Sequence, residues 1–404
     1  MLKGIKRSVK YFLIFIGILI MIPMIMYPLL RQPEIQTLII RRITRYFSQE
    51  LKSTVSVGKT ELVMFNKLSL DDVLIKDKND DTLIYVKKVA ATIRKINPDS
   101  RQFTLGRVSL LNPVFSLVTD TTGLLNLNWY LSLLRSQGKE NKNTPVTVQI
   151  NHTDIRNGSF TLINRSATAR AEGIDFNNMR IRDINGIMED FRIMNDTTSF
   201  SIYNLSFRES GGFIVRKMNS DFSLADQDIS FTSAFINCDS SILNIPHVEL
   251  HPDSTGSYSD FTSKVHLDIR MDNSRVYTSD LRHFVPVVGQ MSESVNFTGK
   301  VSGTVAEMRG RDITISYGNE TKIDCDFDLS GLPDLSNSFI YLGINQLTTR
   351  ASDLSRLKLP GTGSVRLPDY IEKMGTIAFT GSFTGFTTDF VAYGKLTSEA
   401  GNIN

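Results

Sequence analysis

The chain has 404 residues, of which 41% are hydrophobic and 22% are charged, a balance typical of folded rather than disordered proteins. The formal net charge is only +3. Lys3, Lys6, Arg7 and Lys10 contribute four positive charges with no acid among them, so the remaining residues are close to neutral. This distribution excludes the basic face of a nucleic-acid-binding protein, and we expect no nucleic-acid partner.

The first element is the uncharged run YFLIFIGILIMIPMIMYPLL at residues 11–30. Twenty helical residues span about 30 Å, the thickness of a bilayer core. We predict a single transmembrane anchor here, behind a basic tail at residues 1–10 that the positive-inside rule places in the cytoplasm. A cleaved signal peptide is the alternative, but no small-residue cleavage site follows the run. The anchor residues are Phe12, Leu13, Phe15, Ile18 and Ile22.

Residues 31–51 follow the anchor and space their apolar side chains at helical intervals, with Arg41, Arg42 and Arg45 between them. One interpretation is an amphipathic juxtamembrane helix that lies near the lipid headgroups. The other is a helix that caps the end of a sheet. The pattern is compatible with both.

From residue 52 onward the hydrophobic period becomes two. In KIDCDFDLSG, Ile323, Cys325, Phe327 and Leu329 share one face, and polar residues occupy the other. Repeated over roughly 20 predicted strands, this pattern indicates a one-sided antiparallel sheet. A twisted open sheet rarely exceeds about 10 strands without curling or splitting. We predict a mainly β fold with a long curled sheet forming an open groove, against the alternatives of a closed barrel or stacked domains.

Two segments interrupt the strands with helical spacing, at residues 125–134 and 279–291. We predict short helices that plug an open end or edge of the sheet. On the same pattern, residues 52–165 form a first β-groove domain, and residues 166–404 continue the groove.

No catalytic motif is present, and we predict neither enzymatic activity nor a cofactor or metal. His247, Glu249 and His251 share one strand face, where a solvated surface is a better interpretation than a weak metal site. Cys238 and Cys325 are far apart in sequence. Two buried free thiols are the favoured interpretation, and one disulfide between them is the alternative.

A sheet with so little helical sequence to cover it leaves a large apolar face, and exposing that face to water is costly. Either two sheet faces close on each other, or another apolar substance fills the groove. In an anchored envelope protein that substance would be lipid acyl chains. The candidate groove-lining residues are Phe160, Leu162, Phe222, Leu224, Phe231, Val301, Phe327, Leu329, Phe379 and Phe383.

Four segments carry a family resemblance: RRITRYFSQEL, the strands from GKTELVMF, NPVFSLVTDTTGLLNLNWYLSLL, and VTVQINHTDIRNGSFTLIN. In this order behind an anchor, they resemble the N-terminal part of AsmA-like proteins, and more narrowly the TamB translocation and assembly module family. The resemblance implies an inner-membrane protein of Gram-negative bacteria whose body lies in the periplasm. It also implies an apolar groove that conducts phospholipids towards the outer membrane, without catalytic residues.

The same resemblance also implies a second function, because the TamB family is linked to outer-membrane protein assembly through a barrel partner. A scaffold or chaperone-like assembly factor is therefore the alternative. TamB chains are far longer, and their partner-binding region is C-terminal. The resemblance therefore implies a fragment or a shorter relative, with any outer-membrane barrel partner bound by a region that these 404 residues do not contain.

We predict that a reporter enzyme that is active only after export, fused behind residue 404, is active. The reason is that the basic tail stays in the cytoplasm and the anchor carries everything after it across the membrane. The same fusion without residues 11–30 is the control and is expected to be inactive. A reporter that is active only in the cytoplasm would contradict the topology.

Overall fold

A computed structural model describes Arg45, Ser48 and residues 53–403, except for residues 64–65, 98–99, 101, 128–146, 169–172, 195–196, 255–256, 285–293, 333, 335–336, 356–357, 360–362, 365–370, 372 and 387. Within this part, the chain is mainly β and forms 21 strands with a few one-turn helices, which confirms the mainly β prediction. It divides into two compact units: residues 1–144 with 150–166, and residues 145–149 with 167–404.

The first unit is built on a mostly antiparallel sheet. In it β1 and β2 pair with β3, which pairs with β4, and β4 pairs with β5. The strands are β1 (Val55–Ser56), β2 (Lys59–Val63), β3 (Lys67–Lys76), β4 (Thr82–Asn97), β5 (Gln102–Thr119) and β6 (Thr147–Asn164).

The last two of these strands run parallel, which corrects the prediction of a purely antiparallel sheet. Asn157 Nδ2 donates to Asn112 Oδ1 at 3.1 Å, and the Phe115 and Phe160 rings stack at 6.0 Å. Further along both strands, the N–H of Arg165 donates to the Thr119 carbonyl at 3.0 Å. Contacts that advance in the same direction on β5 and β6 require parallel strands. A parallel pair needs a long crossover, and residues 120–146 connect the two strands.

The start of this crossover is anchored by a buried amide. Asn126, which is 4% exposed, accepts the Val118 N–H at 3.1 Å and donates to Asp77 Oδ2 at 3.1 Å. Asp77 in turn accepts the N–H groups of Asn79 and Asp81 in the β3–β4 turn. Asn126 and Leu127 are helical, and the rest of the helix predicted at residues 125–134 lies outside the described residues.

The second unit is an antiparallel meander. Each strand from β7 to β16 pairs with the next one in the chain, followed by the pairs β16–β19, β19–β20 and β20–β21. Its strands are β7 (Arg180–Met194), β8 (Thr197–Glu209), β9 (Ile214–Ala225), β10 (Asp228–Cys238), β11 (Ile242–Pro252), β12 (Val265–Tyr277), β13 (Ser294–Gly303), β14 (Glu307–Tyr317), β15 (Thr321–Ser330), β16 (Phe339–Arg350), β19 (Thr376–Gly385), β20 (Phe390–Ser398) and β21 (Gly401–Ile403). A separate small hairpin joins β17 (Lys358–Leu359) and β18 (Gly363–Ser364).

Several strands of the second unit contain a β-bulge near their middle, and β14 shows its effect most clearly. The register with β15 shifts between Gly310 and Ile313, and Asp312 within the bulge has a φ of 54°. Its N–H donates to Asp326 Oδ1 on β15 at 2.9 Å. Because the bulge adds one residue, Ile313 faces the same side as Gly310; without it, Ile313 would face the opposite side.

The same device recurs on two other strands of the second unit. Asn273 on β12 has a φ of 42° and donates its N–H to Thr298 Oγ1 at 2.9 Å. Asn204 on β8 has a φ of 53° and donates its N–H to Asn219 Oδ1 at 2.8 Å. In each case a polar side chain of the adjacent strand satisfies the N–H that the bulge removes from the ladder. Bulges bend the strands and increase their twist.

One-turn helices connect three pairs of strands: α1 (Phe261–Lys264) after a 3₁₀ turn at Ser257–Asp260, α2 (Thr278–Leu281) and α3 (Ala351–Leu354). Only the beginning of the predicted 279–291 helix lies among the described residues, as α2 and the turn that follows it.

Both α2 and α3 use a buried aspartate to hold a nearby hairpin turn. Asp280 in α2 accepts the N–H groups of Ser240 and Ser241 at 3.0 and 2.6 Å. Asp353 in α3 is 1% exposed and accepts the N–H groups of Asn319, Glu320 and Thr321 at 3.3, 2.8 and 3.0 Å. Both helices therefore satisfy backbone donors in hairpin turns of the sheet, and α3 was not predicted from the sequence.

Cys238 and Cys325 are both buried and free, as the thiol interpretation predicted. Burial, and secondarily the negative charge of Asp280, raises the pKa of Cys238 to about 12. Burial, followed by Asp326 and Asp324, also raises the pKa of Cys325.

The predicted anchor at residues 11–30 lies outside the described residues. Within the described part of the chain, none of the helices has the length and apolar character needed to cross a membrane.

We predict that Asp353→Ala lowers the free energy of unfolding by about 2–3 kcal/mol, because it removes a charged acceptor from buried N–H groups. Asp239→Ala, which removes only an exposed ion pair with Arg216, is the control and is expected to cost at most about 1 kcal/mol. Urea unfolding of the two variants measures the difference. Equal losses would contradict the role of Asp353.

The Asp353 effect depends on pH. Burial raises the pKa of this carboxyl, but hydrogen bonds from Glu320, Asn319 and Thr321 outweigh that effect and leave the pKa below its usual range. A depressed pKa in the folded state stabilises the protein fully above the unfolded pKa of about 3.9. The difference between wild type and Asp353→Ala is therefore expected to shrink as the pH falls below that value.

We predict that neither thiol of the native protein reacts appreciably with a disulfide reagent at pH 8, because the reactive thiolate is scarce and both sulfurs are buried. Both are expected to react rapidly in denaturant. Fast reaction of native Cys238 would contradict its buried position.

Candidate functional site

The candidate site is the apolar face of the second unit, and its register forms a continuous row of directly paired residues. Each member is the Cα partner of the next on the neighbouring strand, from β8 to β20. This central row consists of Phe200, Phe222, Phe231, Val248, Ile269, Val301, Gly310, Phe327, Leu342, Phe383 and Ala392. Directly paired side chains point to the same face, so one apolar stripe crosses all these strands.

Two further apolar rows lie on the same face. An upper row runs from β9 to β20 and consists of Leu224, Ile229, Leu250, Leu267, Gly303, Met308, Leu329, Ile340, Gly385 and Phe390. A lower row, beyond the bulges, consists of Phe297, Ile315, Ile323, Leu347, Phe379 and Leu396. None of these side chains carries a charged, hydroxyl or amide group, so the three rows are chemically uniform.

The opposite face of the same strands is polar. Between the central and upper rows, the cross-strand partners are Ser230, Glu249, Asp268, Ser302, Arg309, Asp328, Tyr341 and Thr384. Ion pairs such as Arg311–Asp328, at 2.7 Å, join neighbouring strands there. The sheet is therefore amphipathic, as the alternating sequence predicted.

The ten predicted groove-lining residues share one level of exposure: every one is half-buried. Phe160 and Leu162 lie on β6 in the first unit. The other eight lie on the central, upper and lower rows. Half-burial means that neighbouring side chains of the same face cover their flanks, whereas no second layer from the described residues covers them completely.

The central row begins with phenylalanines on β8, β9 and β10, and Phe191 on β7 stacks on the first of them. The ring centroids of Phe191 and Phe200 are 6.0 Å apart, those of Phe200 and Phe222 are 4.5 Å apart, and those of Phe222 and Phe231 are 5.2 Å apart. Such ring pairs add stabilisation beyond that of buried area. They also form a continuous aromatic surface on this part of the apolar face.

Sequence reasoning missed several row members. Val248, Ile269 and Leu342 belong to the central row, but only strand register distinguishes them from other apolar residues. Gly310 was missed because a glycine carries no hydrophobic signal. The available clue was its position: apolar alternation in β14 changes phase from Met308 to Ile313, which marks the bulge.

His247 and His251 on the polar face each contact a different carboxylate. His247 Nε2 lies 3.5 Å from Glu249 Oε2, and His251 Nδ1 lies 2.6 Å from Asp228 Oδ1. Across the described ranges, no group of three or more histidine, cysteine or carboxylate side chains is arranged to hold a metal ion. His247, Glu249 and His251 do lie on one exposed strand face.

The chain matches no protein-family model, no curated protein and no solved structure.

Proposed function

We propose that this protein conducts phospholipids between the inner and outer membranes of a Gram-negative envelope, with its apolar sheet face as the track. The observation that carries the proposal is the central row, which presents directly paired apolar residues from β8 to β20 and whose side chains from β8 to β19 are half-buried except at Gly310. The proposal places the body in the periplasm behind an inner-membrane anchor at residues 11–30.

The physical argument begins with the cost of exposing the face. Apolar surface in water costs about 25 cal/mol per Å², and the predicted groove-lining side chains keep part of their surface exposed. An acyl chain gains about 0.8 kcal/mol for each methylene group that it buries. Contact between an acyl chain and the apolar face therefore removes apolar surface of both from water.

Chemical uniformity favours conduction over tight binding at one point. The three rows offer no hydrogen-bond donor, acceptor or charge that would hold a ligand at a fixed position. The hydrophobic effect is non-directional, so an acyl chain has similar contact energy at successive strands. Passive sliding along the rows then needs no catalytic residue, in agreement with the absence of catalytic motifs in the sequence.

The bulges support the curled-groove part of the proposal. They recur near the middle of β8, β12 and β14, and the β14 bulge lies between the central and lower rows. Because bulges bend strands, we propose that their alignment folds the apolar face into a trough with a polar exterior. The headgroup would then remain at the open side, in water.

A second candidate function, strand addition to a client protein, is favoured by the edge at β20. In the described part of the chain, β21 pairs with only Leu396–Ser398 of this strand, and the stretch Phe390–Lys395 pairs with β19 alone. Phe390 and Tyr393 are 53% and 73% exposed. A free edge with apolar side chains is a surface for β-augmentation, as an outer-membrane protein assembly factor would need.

We predict that a photocrosslinking amino acid at Phe327 forms phospholipid adducts in cells. The matched control is Tyr341, an aromatic residue that is 40% exposed on the polar face. Adducts are expected to be several-fold more abundant at Phe327, because only that position lies on the proposed track. Mass spectrometry of the purified adducts identifies the lipid.

Two outcomes would count against lipid conduction. One is a folded protein that forms no lipid adduct at Phe327, and the other is equal labelling of Phe327 and Tyr341. A crosslinker at Tyr393 that instead captures outer-membrane proteins would support strand addition at the β20 edge.

A further inference from the structure

The apolar face contains a position where an aromatic ring occupies the space of a missing side chain. Gly310 on β14 is the direct partner of Phe327 on β15. A Cβ atom built on Gly310 would lie 2.5 Å from Cδ1 and 2.6 Å from Cζ of Phe327. Since carbon atoms in contact are normally about 3.5–4.0 Å apart, the ring of Phe327 must lie down across the glycine instead of standing upright on the sheet.

A second ring lies down in the same manner on the lower row. Phe379 extends over Gly381 and Gly394, which are direct partners of each other. Cβ atoms on these glycines would lie 2.8 and 2.6 Å from Phe379 Cζ. Two independent positions of the apolar face therefore combine phenylalanine with glycine. Covering a glycine with an aromatic ring is a known way to stabilise a strand that lacks a side chain.

We infer that Gly310 is a positioning residue that sets the height of the apolar face by holding the Phe327 ring flat. This inference rests on the proposed lipid function. Gly310 is the only member of the central row without a side chain, and it is buried beneath the ring. The flat ring presents its face to an acyl chain and keeps the track open between Val301 and Leu342. An upright ring at the same place would obstruct it.

Gly310 is also the position at which this idea can be tested with the least damage to the fold. All three atoms nearest to a Cβ on Gly310 belong to the Phe327 ring. Because Phe327 is half-buried, its ring has room to rotate off the sheet. At Gly381 and Gly394, a Cβ would also meet backbone oxygens of Tyr393 and Thr380, so substitution there would displace the strands themselves.

The test places a photocrosslinker at Phe231 or at Phe383, on the two sides of Gly310 along the central row, in the 404-residue chain produced in cells. In the wild-type background, both positions are expected to form phospholipid adducts. In Gly310→Ala, adducts are expected to fall several-fold on the side that lipids reach only by passing residue 310, and to persist on the other side.

Three controls separate obstruction from loss of structure. Gly343→Ala lies on the polar face, where the nearest atom to a new Cβ is Tyr341 Oη at 3.3 Å, and it is expected to leave both adducts unchanged. Phe327→Leu combined with Gly310→Ala removes the displaced ring and is expected to restore the adducts. Native protection of the Cys238 thiol, which is buried on β10 away from Phe327, reports that each variant remains folded.

The outcomes distinguish this inference from the proposed function. If the wild-type protein forms no adduct at either position, lipid conduction itself is wrong. If the wild type forms adducts and folded Gly310→Ala retains both at the wild-type level, or if Phe327→Leu fails to restore a lost adduct, Gly310 does not act through the ring.

Discussion

The apolar face depends on one constraint: neighbouring strands must keep their register within a single residue. A strand directs successive side chains to opposite sides, so a slip by one position would exchange the apolar and polar faces. The second unit maintains this phase across long strands by adding a residue at bulges. Asp312 has the left-handed conformation that such a bulge requires, and the Asp326 carboxylate accepts its displaced N–H. The hydrogen bond therefore keeps Ile313 on the same face as Gly310.

The ends of the sheet follow a different rule, in which buried carboxylates satisfy backbone donors. Asp280 and Asp353 occupy equivalent positions in two Ser-Asp-Leu helices, and each binds the turn of a hairpin formed by earlier strands. Such charged acceptors are tolerated in buried positions because they are hydrogen-bonded. The face between these ends needs no polar groups, and it contains none along its three rows. Polar satisfaction at the ends and apolar continuity between them together define the candidate track.

The uncovered face is the link between this architecture and the proposed function. Phe231, Val301 and Phe327 are half-buried, so each has apolar surface that its neighbours do not remove from water. A surface of this kind usually marks an interaction site. Lipid acyl chains match it because they are long, apolar and without directional requirements. Strand addition at β20 uses a different feature, the free backbone edge, and the two functions are therefore separable by experiment.

Local sequence alone determined the mainly β character and the amphipathic strands, because the two-residue period is a property of each extended segment. It also identified Ile323, Cys325, Phe327 and Leu329 as one face of β15, a strand whose alternation is uninterrupted. Tertiary structure decided which residues face each other, since strand pairing joins segments that are distant in sequence. The parallel β5–β6 pair and the ring of Phe327 over Gly310 both arise from such pairing. No periodicity within a single strand contains that information.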